Sequence, residues 1–198
     1  MKRRAQGFSL VETMIVVAII VILTVIAVPS IHRLNSNYKI DASGHSVASL
    51  LAQARLQAVH NNAPAYTQFS AADLTLAFVN NDPTQGIAAG NSDVALNGGV
   101  QFQTAGMPDH QQLDNYLGKN GGGGPTVKIG SPVGFNARGL PCVQNGPSPA
   151  VCLQDDGTGA VPVFEWFMAD SDGNWAAVTV TAAGRIKAWR YTGQGTWQ

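Results

Sequence analysis

Residues 8–28 read FSLVETMIVVAIIVILTVIAV, an apolar run interrupted only by Ser9, Glu12, Thr13 and Thr24. A helix of about 20 apolar residues is long enough to cross a bilayer. The run therefore predicts a membrane-spanning helix, and we expect this helix to decide how the rest of the chain is organised.

The flanks of this run predict its orientation. Three basic residues, Lys2, Arg3 and Arg4, lie just before it. Since short basic tails stay in the cytoplasm, we expect everything after Pro29 to lie outside the cytoplasm. A secretory signal peptide is the alternative, but its apolar core would be shorter. A small-residue cleavage site should also follow such a core, whereas residues 29–32 read PSIH.

Glu12 is a carboxylate inside the apolar run, where it costs roughly 2.5 to 3.5 kcal/mol unless paired or protonated. If the chain is cut between Gly7 and Phe8, the new α-amino group of Phe8 is a cation one helical turn from Glu12. In a packed filament, Glu12 of one subunit could neutralise the terminal amine of its neighbour, because a low dielectric strengthens the attraction. The alternative is a carboxylate that snorkels to the membrane interface.

The hexapeptide GFSLVE at 7–12, preceded by basic residues and followed by the apolar run, resembles the type IV prepilin leader. The resemblance implies that residues 1–7 are a leader, which a prepilin peptidase removes after Gly7 before methylating Phe8. It also implies that Glu12 guides assembly with other pilins and that Pro29 is the helix-kinking proline common in pilins. The expected location is the bacterial inner membrane, with a cytoplasmic N-terminus and a periplasmic C-terminal domain.

Beyond residues 8–28, the membrane and filament-assembly segment, helical periodicity continues through residues 29–62, the expected soluble half of the helix. Apolar residues recur there at Leu34, Ile40, Val47, Leu50, Leu51, Ala54, Leu56, Ala58 and Val59. We predict that the helix extends to about His60. The following residues 61–64 read NNAP, in which Asn suits a C-terminal cap and Pro cannot continue the helix.

From 63 to 198 the pattern changes to short β-like runs separated by turn-rich segments. These runs are AYTQFS (65–70), LTLAFV (74–79), VQFQ (100–103), TVKIG (126–130), VPVFEWFM (161–168) and AAVTVTAAGRIKAWRY (176–191). They predict antiparallel sheet. The expected fold class is α+β, a pilin-like long N-terminal helix packed on antiparallel β-sheets in an extracytoplasmic domain.

Three further segments resemble the H-type pseudopilin group (GspH/FimT), which includes FimT-like minor pilins. They are the helix end at 49–65, the turn GFNARG at 134–139 and the strand start GRIK at 184–187. Residues 71–130 match no pattern of that group. The resemblance implies a minor pilin or pseudopilin that assembles into or primes a type II secretion pseudopilus or a type IV pilus.

Basic and aromatic side chains are interleaved near the C-terminus, at Arg185, Lys187, Trp189, Arg190, Tyr191 and Trp197. Cations neutralise phosphates and aromatic faces stack on bases. Regular strand alternation places Arg185 and Lys187 on one face and Arg190 on the other. Because some FimT-like minor pilins bind DNA during uptake, the resemblance implies double-stranded DNA as a partner, with Arg138 as a further contact. The alternative is a solvated outer face over a core-filling partner face.

Two smaller features have structural interpretations. Cys142 and Cys152, the only cysteines, lie in a Gly/Pro-rich stretch without a nearby His, which favours a disulfide and an oxidising compartment over a zinc site. The oxygen-rich segment with Asp170, Asp172 and Asn174 is a candidate calcium ligand set. It lacks the full calcium-loop spacing, and a tight turn explains these residues equally well.

The sequence offers little for catalysis. No Ser-His-Asp or Cys-His arrangement is evident, the four histidines are scattered and expected at the surface, and one of only two glutamates lies in the apolar run. The Gly-rich segment 119–125 lacks the Gly-Lys-Ser/Thr ending of a phosphate-binding loop. Twelve basic residues balance twelve acidic ones, so net charge indicates no polyanionic partner. We therefore expect a non-enzymatic protein without a cofactor or bound metal.

Overall fold

The computed structural model describes residues 9–70, 73–81, 92–119, 124–145, 151–154, 159–192 and 195–198, without the side chains of 27–33, 145 and 151. The chain forms two compact units, residues 1–37 and 38–198. One helix, α1 (Leu10–Asn61), supplies the described part of the first unit and begins the second.

In the first unit, every described side chain from residue 9 to residue 26 is exposed. Two hydroxyls inside this apolar stretch bond to their own helix: Thr13 Oγ1 donates to Leu10 O at 2.8 Å, and Thr24 Oγ1 donates to Ile20 O at 2.6 Å. These bonds satisfy both hydroxyls within the helix itself. Within the described residues, no helix meets the length and hydropathy criteria for a membrane span.

In the second unit, α1 buries one face. Its fully buried apolar residues are Ile40, Val47, Leu50, Leu51, Ala54 and Ala58, at the three- and four-residue spacings of a helix that packs on a core. The helix ends one residue beyond the expected His60. There Asn62 adopts a left-handed conformation (φ 49°), and Ala63 N donates to Ala58 O at 3.2 Å, which is a Schellman-type ending.

The remaining elements are, in chain order, β1 (Ala65–Phe69), β2 (Leu76–Asn80), β3 (Asp93–Ala95), β4 (Gln101–Phe102), α2 (Gln111–Leu117), β5 (Thr126–Ile129), β6 (Val133–Phe135), β7 (Pro141–Asn145), β8 (Val151–Leu153), β9 (Pro162–Ala169), β10 (Trp175–Val180) and β11 (Ile186–Arg190). The first sheet has the order β3-β2-β1-β6-β7-β8. The second has the order β11-β10-β9-β4, with β5 also paired to β9.

The second sheet buries both of its faces. Alternate residues of β9, such as Phe164 and Trp166, join the main core with the buried face of α1 and residues of the first sheet. The intervening residues, such as Phe167, face a second cluster that includes Leu113 of α2 and Trp189 of β11. Because both faces are covered, every residue of β9 and β10 is buried.

The α+β class with antiparallel sheets is confirmed, with additions. One described pair, β5 with β9, is parallel. The run 176–191 is a hairpin rather than one strand, since β10 and β11 pair in register from Ala176–Arg190 to Val180–Ile186. The sequence patterns also missed α2 and the short strands β3, β6, β7 and β8.

Candidate functional site

The expected processing residues Gly7 and Phe8 lie outside the described residues. Glu12 lies in the first turns of α1, and its side chain is exposed among exposed apolar neighbours such as Leu10 and Ile15. Pro29 is included in α1, but its side chain is outside the description. The described part of the first unit is thus a helix with an apolar surface and one carboxylate near its N-terminal end.

A groove in the second unit brings three arginines together. Its lining includes Arg55 of α1, Arg138 from the turn between β6 and β7, and Arg185 from the turn between β10 and β11. Exposed apolar side chains of α1, Leu56 and Val59, complete one wall. Two of the expected DNA contacts, Arg138 and Arg185, therefore meet at one open site, although they are far apart in sequence.

Arg55 positions the two turns of this groove. Its Nη1 donates to Gly184 O at 3.0 Å. A Cβ on Gly184, whose φ is +75°, would lie 2.7 Å from Gly139 O, so only glycine lets the turns approach this closely. The segments 134–139 and 184–187, which carried the resemblance to the H-type group, thus meet around Arg55. The helix-end pattern contained Arg55, but nothing in the sequence marked it as part of a site.

Lys187 and Arg190 belong to β11. Lys187 lies beside Arg185, because Arg185 Cζ lies 5.9 Å from the centroid of the same Tyr116 ring that Lys187 faces. The Lys187 ammonium lies 3.4 Å from the centroid of the Trp189 ring and 5.5 Å from that of Tyr116. This is a cation–π arrangement under α2 that leaves Lys187 half-buried. The register of β11 is regular, so Arg190 is on the opposite face of the strand from Lys187. Arg190 is therefore separate, whereas Arg185 and Lys187 share one face beside Tyr116.

The remaining aromatic residues of the C-terminal segment pack on each other. Tyr191 forms a bridge with Trp197, and their ring centroids lie 5.2 Å apart. Trp197 is 2% exposed. Its ring therefore fills the second cluster and does not present a stacking surface to solvent.

Cys142 in β7 and Cys152 in β8 form a disulfide, with their Cα atoms 5.3 Å apart. The two strands pair with Gln144 opposite Cys152. The bridge thus ties β8, the last strand in the order of the first sheet, to its neighbour.

The calcium candidates form a tight turn between β9 and β10. Asp170 Oδ1 accepts from the backbone N of Asp172 at 3.0 Å and of Asn174 at 2.9 Å, and Oδ2 accepts from Asn174 Nδ2 at 2.8 Å. Both oxygens of Asp170 are thus used in the turn, in keeping with the turn alternative.

His110 departs from the expected surface role. It precedes α2, is half-buried, and lies beside Asp114 and the fully buried Glu165. Glu165 belongs to the otherwise apolar run at 161–168. A lone carboxylate in such a strand was the sequence feature that could have indicated a site. Its partners lie about 50 residues earlier in the chain, so local patterns could not connect them.

A protein-family model described as the prokaryotic N-terminal methylation motif matches residues 2–28. This match supports a type IV pilin-like protein, and it points to a structural pilin and not to an enzyme. The motif implies processing by a prepilin peptidase, assembly with other pilins and anchoring in the inner membrane through the N-terminal helix. Comparisons with curated proteins and with solved structures gave no match.

Proposed function

We propose that the chain is a minor pilin or pseudopilin that is cleaved after Gly7, methylated on Phe8 and assembled into a type II secretion pseudopilus or a type IV pilus. The observation that carries the proposal is the methylation motif at residues 2–28. Within this motif, residues 10–26 form a helix whose side chains are all exposed and mostly apolar. Such a surface is suited to lipid before assembly and to neighbouring helices afterwards.

Glu12 is the residue on which assembly depends in this proposal. Its carboxylate neutralises the terminal amine of a neighbouring Phe8, and loss of one partner from a buried ion pair costs about 3–5 kcal/mol. Glu12→Ala should therefore lower incorporation into sheared filaments by at least about tenfold, without preventing cleavage. Thr13→Ala is the matched control, because Thr13 bonds only to its own helix among its described contacts. Normal incorporation of the Glu12 variant would contradict the assembly step. It would favour the alternative, in which the Glu12 carboxylate only snorkels to the membrane interface.

A second function, capture of double-stranded DNA, is favoured by the groove that Arg55, Arg138 and Arg185 line. Arg138 and Arg185 are exposed, so both can reach phosphates. This site differs from one built on Arg185, Lys187 and Arg190 together, since Lys187 is covered by aromatic rings and Arg190 lies on the other face.

The test compares two charge-matched double variants in a DNA-binding assay at several salt concentrations. Arg138→Ala with Arg185→Ala should weaken binding and reduce the slope of log K against log salt by about two. Lys187→Ala with Arg190→Ala removes the same charge and should change both quantities less. Equal effects of the two pairs would argue against the groove, and no binding by the unmodified chain would reject this function.

A further inference from the structure

Three potential metal ligands converge between α2 and the second sheet, on the face away from α1. His110 precedes α2, Asp114 lies within it, and Glu165 projects from β9. One candidate ligand atom from each residue lies within 4.8 Å of the other two. The second unit thus brings one imidazole nitrogen and two carboxylates to a single point.

Glu165 is the unusual member of this cluster. Its side chain is 0% exposed, and neither carboxylate oxygen has a hydrogen-bond partner among the described residues. Buried carboxylates are normally paired, hydrogen-bonded or bound to a metal, because burial without compensation is costly. Burial, reinforced by the nearby charge of Asp114 and opposed by that of Lys119, raises the pKa of Glu165 to about 8. A divalent cation would compensate both carboxylates at once.

The other two residues are able to turn toward an ion. His110 makes no side-chain capping bond to α2, and its ring lies edge-on to Phe167 with centroids 5.7 Å apart. Asp114 pairs with Lys119, whose Nζ lies 3.1 Å from Oδ2. The Lys119 side chain is half-exposed, so it can move into solvent when an ion takes its place.

The donor set selects the class of ion. Imidazole suits zinc and other late first-row metals, and affinity for a mixed nitrogen and oxygen site increases toward that end of the series. Calcium prefers six to eight oxygen ligands, more than two carboxylates provide. Zinc bonds of about 2.0–2.2 Å place tetrahedral ligand atoms roughly 3.4 Å apart. The ligand atoms lie within 4.8 Å of one another, so their separations need to shorten by up to about 1.4 Å.

We propose that His110, Asp114 and Glu165 form a binding site for a zinc-class divalent metal ion, with solvent in the fourth position. The ion would join α2 to β9. Because α2 has only seven residues, such a cross-link would hold it against the sheet. This site is independent of the filament function proposed above.

The experiment is isothermal titration of the purified, detergent-solubilised full chain with ZnCl2 after treatment with EDTA, with thermal unfolding followed in parallel. We expect one zinc ion per chain and a Tm that increases with the free zinc concentration. Cobalt(II) should give the visible absorption of a tetrahedral complex. His110→Ala and Glu165→Gln should each lower zinc affinity by at least about tenfold, because even partners of direct ligands contribute tenfold or more.

His45→Ala is the matched control. His45 is exposed, and its Nε2 lies 3.9 Å from Asp41 Oδ1. The two residues form an ordinary surface pair, so loss of the His45 imidazole should leave zinc affinity unchanged. Far-UV circular dichroism and Tm in EDTA check that each variant is folded, and Glu165→Gln retains the side-chain shape if His110→Ala does not fold. Absence of zinc binding by the unmodified chain, or binding that survives Glu165→Gln in a folded protein, would overturn the proposal.

Discussion

Gly134 lies in β6, where the chain passes closest to Tyr66 and Cys142. A Cβ at this position would lie 2.7 Å from Cys142 Sγ and 2.7 Å from Tyr66 Cε1. Both neighbours are buried, with exposures of 0% and 1%, so neither can move into solvent. The need for glycine here arises from close packing and not from backbone conformation.

Gly134→Ala should therefore lower the free energy of unfolding by about 1–3 kcal/mol, the usual cost of overpacking. Chemical denaturation of the full chain in detergent measures this change in the free energy of unfolding. Gly98→Ala is the control, because a Cβ on Gly98 meets nothing within 4 Å and should change stability by no more than about 0.5 kcal/mol. Equal stabilities of the two variants would contradict the packing around Gly134.

Glu165 should make stability depend on pH in the absence of metal. Its pKa in the folded protein is raised from 4.5 to about 8, chiefly by burial. Between these values the unfolded chain loses the proton while the folded chain keeps it. Stability should therefore fall as pH rises through this window, by up to about 1.4 kcal/mol per pH unit, and level off above it.

Glu165→Gln removes this titration. In EDTA, the unfolding free energies of the variant and of the unmodified chain should be similar near pH 4 and diverge toward pH 8, where the variant is more stable. Denaturation curves collected across this range provide the measurement. Parallel curves for the two proteins would show that Glu165 is already ionised in the folded state.

At the scale of elements, α2 fixes the C-terminal end of the chain. The side-chain amide of Gln112 donates from Nε2 to Trp197 O at 2.8 Å, and its Oε1 accepts from Trp197 N at 2.8 Å. The Trp197 indole also donates to Asp109 O at 2.8 Å. The Gln112 side chain thus makes both hydrogen bonds to the Trp197 backbone that a paired strand would otherwise make.

Gln112→Ala should expose the Trp197 amide to exchange and lower the free energy of unfolding by about 1–3 kcal/mol, since two partly buried groups lose their partner. Hydrogen exchange of the C-terminal peptide measures the first effect. Gln111→Ala is the control, because the two side-chain bonds to the Trp197 backbone come from Gln112, so replacement of its neighbour Gln111 should leave exchange unchanged. Fast exchange of Trp197 in both variants would indicate a cause other than the Gln112 contacts.

Elements with a strong local pattern were predictable from the sequence. The buried face of α1 repeats at Val47, Leu50, Leu51, Ala54 and Ala58. Strands β9 and β10 are apolar runs interrupted only by Glu165 and Thr179. By contrast, α2 has seven residues with only Leu113 and Leu117 buried, too short a repeat to indicate a helix. The two-residue strand β4 was found only because it lies within a longer β-like run.

The candidate sites were predictable in residue type but not in arrangement. Arg138 and Arg185 were candidates on chemical grounds, but their meeting at Arg55 depends on two turns that are distant in sequence. Lys187 does not line this groove, although its ammonium and the Arg185 guanidinium both lie over the Tyr116 ring of α2. The cluster of His110 and Glu165 likewise depends on α2, the element that the sequence pattern did not reveal.

At the scale of the whole molecule, the two units have different chemistry. Residues 9–26 expose an apolar surface throughout, whereas the second unit encloses two hydrophobic clusters. A segment of the first kind requires lipid or other helices around it. The proposed assembly therefore depends on how the N-terminus is processed, since the amine that we propose pairs with Glu12 exists only after cleavage.

The most direct test is the intact mass and N-terminal sequence of the protein extracted from membranes of cells with and without prepilin peptidase. We expect a chain that begins at methylated Phe8 only when the peptidase is present, and a full-length chain in its absence. A Gly7→Ala variant should remain uncleaved in both cells. An uncleaved chain in the presence of the peptidase, or a chain cut after Ala27, would contradict the account.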